Sequence, residues 1–167
     1  MYLKHWLTGF SASPRLAKSR QRNRSASLEM LENRTMLSVQ SLVFGTEMTV
    51  LADANDDIAI GRNSSTGNVQ ISANGVVQNG LATTQASTLT TLSVFTESGD
   101  NSIDLTGLDL GGFSSLNSVI IDGGDGNDLI IGSNSFAESL IGGDGTDTIL
   151  GQGGDDTIDG GDGNASV

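Results

Sequence analysis

Gly123-Gly124-Asp125-Gly126-Asn127-Asp128-Leu129-Ile130-Ile131 is the stretch on which the reading of this chain turns. It fits the nonapeptide G-G-x-G-x-D-x-U-x at every fixed place, U being a large apolar residue. Gly142-Gly143-Asp144-Gly145-Thr146-Asp147-Thr148-Ile149-Leu150 is a second full copy. Gly151-Gln152-Gly153-Gly154-Asp155-Asp156-Thr157-Ile158-Asp159 is a third that loses only its second glycine. The two halves of the unit do different work. Glycines let the chain turn tightly at positive φ with carbonyls facing inward. In the D-x-U-x half the side chains alternate, so Ile130, Ile149 and Ile158 point one way and their neighbours the other.

Such units predict short parallel strands stacked over a narrow isoleucine core, with aspartates and main-chain carbonyls lining the turns. That donor set suits calcium, which takes about six to eight oxygens in a flexible arrangement. Magnesium needs a stricter octahedron, and zinc would draw on His or Cys, which this segment lacks. A featureless Gly/Asp-rich linker is the competing reading. Repeated copies with an apolar residue at the matching phase weigh against it.

The residues just quoted resemble the RTX, or hemolysin-type, calcium-binding repeat family. That resemblance implies an all-β, right-handed parallel β-roll or β-solenoid over 123–167, with two nonapeptides per coil and calcium between alternate turns. The turn at 123–128 would then face the turn at 142–147. Asp128 and Asp147 take the family's ligand position, Asp125 and Asp144 stand at the variable third position, and Gly124, Gly126, Gly143 and Gly145 shape the carbonyl-bearing bends. The intervening segment 132–141 departs from the pattern: it has ten residues, keeps one glycine and puts Ala137 where Asp belongs. Asp156 on that edge would therefore form half a site at most. The last turn carries Ala165 at the ligand position, leaving Asp162 to share a weaker second site with Asp147.

Net charge is −12, but the charge is unevenly placed. Residues 1–34 hold seven of the eight Lys and Arg against Glu29 and Glu32, giving +5; residues 35–167 hold Arg62 alone against eighteen acids, giving −17. The acidic body excludes nucleic acid as a partner and favours a cation. Packed carboxylates repel until an ion neutralises them, so folding should be coupled to calcium. Cysteine is absent, which removes disulfides and thiolate sites. No apolar run is long enough for a transmembrane segment.

Residues 1–38 read as a basic leader, disordered or partly helical. Within it, Leu31-Glu32-Asn33-Arg34-Thr35-Met36-Leu37-Ser38 resembles the LEPR-XLL leader of secreted or surface proteins in planctomycete-type bacteria, following the basic run Arg20, Arg22, Arg24. Asn33 replaces the proline and Met36 a leucine of that motif. The resemblance implies an extracellular or cell-surface location, with cell-wall or surface components as partners. An amphipathic helix over 28–37 is a compatible reading.

Residues 39–122 read as strands between Gly, Asn, Asp and Ser turns: 41–44, 48–52, 57–60, 68–72, 88–95, 102–105 and 118–121. They look like irregular coils leading into the repeats and capping them, with a separate β-sandwich as the other possibility. The acidic turn 53–57 fails as an EF-hand, since Ile58 stands at position 6 and Ser64 at position 12. Catalysis is not expected. The only histidine is His5 and cysteine is absent, so no zinc-protease site or catalytic triad can be assembled in the body, where Arg62 is the sole candidate for a lyase base. A calcium-stiffened spacer of a truncated adhesin-like protein, or a non-catalytic piece of a larger RTX exoenzyme, are the alternatives. Val167 falling on the last U position would suit either.

Overall fold

An apolar residue recurs two places after the polar end of each turn, and that spacing builds the core. Ile58, Ile103, Ile130 and Ile149 are aligned in register on neighbouring strands, and all four are buried. Val50, Val94, Ile121, Leu140 and Ile158 form a second aligned row facing them. Fully burying such a side chain is worth about 1.5–3 kcal/mol, so each added coil extends the same stripe without a bulky centre.

The computed structural model describes residues 39–78 and 84–167. The leader assigned to 1–38 lies outside the described residues. The strands are β1 (Gln40–Phe44), β2 (Glu47–Ala52), β3 (Asp57–Arg62), β4 (Val69–Ala73), β5 (Val76–Gln78), β6 (Thr91–Thr96), β7 (Ser102–Gly107), β8 (Ser118–Asp122), β9 (Leu129–Ile131), β10 (Glu138–Ile141), β11 (Thr148–Leu150) and β12 (Thr157–Asp159). They make two six-stranded sheets, ordered β1-β2-β6-β8-β10-β12 and β11-β9-β7-β3-β4-β5. From β6 onward, successive strands alternate between the sheets and pair in parallel with the strand one coil earlier. The parallel pairs β2–β6 and β3–β7 continue this register upstream of the repeats. Both sheets therefore run through position 122 without a break.

Two departures decorate the start of the stack. Strand β1 folds back antiparallel on β2. Strands β4 and β5 form a hairpin that pairs antiparallel with β3. Its two-residue turn, Asn74-Gly75, has positive φ at both positions (51° and 75°), which matches the twist of the flanking strands. The strand expected over 88–95 starts only at Thr91. Residues Ala86–Thr88 instead make a 3-10 turn, because turning there buries Ala86 and Leu89 completely.

Candidate metal centre

Turns that carry the chain from the first sheet to the second share one edge of the stack, and a ladder of side-chain oxygens runs along it. The Asp56 main-chain N–H donates to Asn101 Oδ1 at 2.8 Å, that of Asn101 to Asp128 Oδ1 at 2.8 Å, and that of Asp128 to Asp147 Oδ1 at 2.9 Å. One oxygen of each Asp thus serves as an acceptor for the preceding coil. The other oxygens, Asp128 Oδ2 and Asp147 Oδ2, are buried with no hydrogen-bond partner. The two residues are only 3% and 1% exposed. An unpaired buried carboxylate oxygen is costly unless a proton or a cation meets it.

These orphaned oxygens do not point at random. A Cβ on Gly123 would stand 2.7 Å from Asp128 Oδ2 and 2.5 Å from the Gly142 carbonyl oxygen. A Cβ on Gly142 would stand 2.6 Å from Asp147 Oδ2 and 2.9 Å from the Gly160 carbonyl oxygen. In each coil, then, a carboxylate oxygen and a carbonyl of the next coil converge over the first glycine of the turn. Any side chain there would fill the space. The residues present fit a hard cation that takes carboxylate and carbonyl oxygens together.

Asn101 shows the contrast. Its amide Nδ2 donates to the carbonyls of Ser98 (3.3 Å) and Gly99 (2.8 Å), so this turn supplies from its own side chain the positive partners that its neighbours lack. A polar residue two places before the stacked apolar one marks Asp56 and Asn101 as members of the ladder, a signal that sequence reasoning passed over.

The remaining residues singled out in the sequence fall into place around this edge. Asp125 and Asp144 are exposed and form an isolated parallel bridge through their backbones. Gly126 donates to the Asp144 carbonyl at 2.8 Å, and Asp144 to the Gly124 carbonyl at 2.9 Å. Gly143 and Gly145 have φ of 107° and 143°; side chains there would collide with the Gly124 and Gly126 carbonyls. Asp162 is exposed, and its coil is joined to the previous one through main chain, Gly145 N–H to the Asp162 carbonyl at 3.1 Å. The ladder stops at Asp147, whose own N–H turns to the Asn164 carbonyl at 3.2 Å.

The opposite edge corrects one expectation. Glu138, not Ala137, stands at the acid position of the ten-residue segment 132–141. Its main-chain N–H donates to Asp156 Oδ1 at 2.9 Å, repeating the ladder. Its Oε1 accepts from the N–H and hydroxyl of Ser133, and its Oε2 is buried without a partner. A Cβ on Gly132 would meet Glu138 Oε2 at 2.7 Å and the Gly151 carbonyl at 2.6 Å, the same convergence as at Gly123. Register explains the substitution: Leu140 pairs with Ile158, so the acid two places before Leu140 aligns with Asp156. Counting back from the apolar residue, rather than forward from the glycine, would have found it.

Burial pushes the Asp128 carboxyl up to about 6, with the neighbouring Asp147 charge adding to the rise and the Asn101 N–H opposing it. Burial likewise pushes Glu138 up to about 7, against the hydrogen bonds from Ser133 and with help from Asp156. Both edges therefore hold negative charge under strain at neutral pH. Among the described residues no three Asp, Glu, His or Cys side chains converge on one point. An ion held here has to draw on main-chain oxygens as well, which is calcium's habit rather than zinc's.

Residues 118–135 and 133–167 match the model of the RTX calcium-binding nonapeptide repeat, in four copies. Calcium is the ion such repeats bind. The match covers the last four parallel strands of the ladder region and β8, and leaves 39–117 unassigned. No curated protein and no solved structure matches the chain. Among the described residues no helix is long and apolar enough to cross a membrane.

Proposed function

We propose that the repeat segment is a right-handed parallel β-roll, a solenoid that orders as calcium neutralises its edges, in a secreted or cell-surface protein without catalytic activity. The observation that carries this reading is the orphaned acid oxygen over the first glycine of its own turn. It occurs at Asp128 and Asp147 on one edge and at Glu138 on the other. Asp128 and Asp147 are the chief ligands, with carbonyls of the glycine bends completing the shell. Glu138 offers the same arrangement on the second edge, where Asp156 accepts its main-chain N–H. The basic, LEPR-XLL-like segment 1–38 supports export, and a calcium-stiffened spacer contacting cell-wall or surface components is the role that suits such a body.

Extracellular calcium modules bind on the order of 10⁻⁴–10⁻³ M. At a tenfold excess over Kd each site adds about 1.4 kcal/mol to folding. Titrating calcium into the full chain, followed by circular dichroism and calorimetry, tests the reading. A gain of β signal and of melting temperature that is lost in Asp128→Ala/Asp147→Ala supports it, and an identical titration in that double variant rejects it.

A further inference from the structure

We infer that the turn at 53–56, outside the matched repeats, holds a calcium ion of its own through the carboxylates of Asp53 and Asp56. The inference rests on calcium being the ion of the repeats, but not on their ligands. Asp56 is 3% exposed, and its Oδ2 is buried with no hydrogen-bond partner. The rest of the residue is fixed. Its Oδ1 accepts from Asn74 Nδ2 at 2.8 Å, and its main-chain N–H donates to Asn101 Oδ1 at 2.8 Å. The Asp53 carboxylate stands beside it and adds like charge. From the next coil, Glu97 lines the same open cleft of about 400 Å³ as Asp53.

Two acids of one turn, Asp53 and Asp56, thus stand together with an orphaned buried oxygen between them and few groups in the body to offset them. Arg62 is the single Lys or Arg of residues 35–167, and it lies instead in a cleft with Asp104 and Gln70. The amide solution used by Asn101, which supplies donors from its own side chain, is denied to Asp56 by its second carboxylate oxygen. A divalent ion resolves the conflict, since carboxylates at this density hold it without a proton. It would also tie the inserted hairpin to the stack. Asn74, at the tip of that hairpin, binds Asp56 and exchanges hydrogen bonds with the Asp57 backbone at 2.8 and 2.9 Å.

Amide hydrogen exchange on the full chain, with chelator and with calcium at ten times Kd, tests this. Calcium should slow exchange about tenfold at 53–57 and 74–76, as well as in the repeats. Asp53→Asn should abolish the response at 53–57 and 74–76 while 123–150 still responds. Asp128→Asn/Asp147→Asn should do the reverse. If calcium protects 123–150 but leaves 53–57 unchanged, or if Asp53→Asn responds like the native chain, the site does not exist and the repeats stand. Protection at 53–57 that follows acidification and ignores calcium means that Asp53 and Asp56 share a proton, which also overturns the proposal. A native chain that responds at 53–57 but not at 123–150 upholds this site and refutes the reading of the repeats.

Discussion

Asp147 accepts the Asp128 main-chain N–H through Oδ1 at 2.9 Å while its Oδ2 stays buried and unpaired. The two oxygens of one side chain therefore have separable jobs, and two substitutions separate them. Asp147→Ala removes both. It strands a buried N–H, at a cost of about 1–3 kcal/mol even without metal, and it removes the calcium response. Asp147→Asn keeps the acceptor and discards the charge. It should likewise lose the calcium response, yet be at least as stable as the native chain in chelator. Thermal melts of both variants with chelator and with millimolar calcium read the difference.

Without calcium, stability should fall as pH rises toward neutrality. Burial raises Asp128 from 3.8 to about 6 and Glu138 from 4.5 to about 7. A carboxyl whose folded pKa exceeds its unfolded one favours the folded state where the proton is bound. The favourable contribution is complete below about pH 4, declines between that value and about 6–7, and is gone above. Calcium needs the ionised form, so its affinity should climb across the same window. Melting temperatures in chelator from pH 4.5 to 7.5, beside calcium titrations at each pH, should therefore slope in opposite directions.

The sequence made the repeats legible because glycine, aspartate and isoleucine each recur where one conformation demands them. Asp128 and Asp147 could be placed from that phase alone. Glu138 could not be placed by counting from the glycine, because the extra residue of 132–141 is absorbed in the turn while Leu140 keeps its register with Ile158. Asp56 and Asn101 were hidden for a similar reason: the ladder bonds joining them span 45 and 27 positions, far from any nine-residue period. What survives insertion is the spacing between polar cap and stacked apolar residue, as in Asp56/Ile58, Asn101/Ile103 and Glu138/Leu140. The start of β6 was misplaced because burial of Ala86 and Leu89 overrode the β-propensity of the threonines beside them.

Asn101→Asp should convert a self-sufficient turn into a calcium-dependent one. The substitution keeps the oxygen that accepts from Asp56 and deletes the Nδ2 donors to Ser98 and Gly99. It also puts a carboxylate one coil from Asp128, at a position that is 3% exposed in the native chain. In chelator the variant should lose about 1–3 kcal/mol, and added calcium should restore most of that loss. Calorimetric stoichiometry should rise by one ion. A variant destabilised equally with and without calcium would mean that carbonyls at this coil cannot complete a shell.

Ile130 tests the coupling from the core side. It is fully buried between Ile103 and Ile149 in the register of the second sheet, and its hydrocarbon side chain offers an ion no ligand. Ile130→Ala removes apolar volume and leaves a cavity, at a cost of about 2–5 kcal/mol. Because that energy is lost from the folded state that calcium selects, more calcium should be needed to reach the same order, and the titration midpoint should move upward. The number of ions bound at saturation should not change. Asp147→Asn should do the opposite, lowering the stoichiometry with little loss of stability in chelator. If the ion and the isoleucine stack were independent, Ile130→Ala would lower the melting temperature and leave the calcium midpoint where it was.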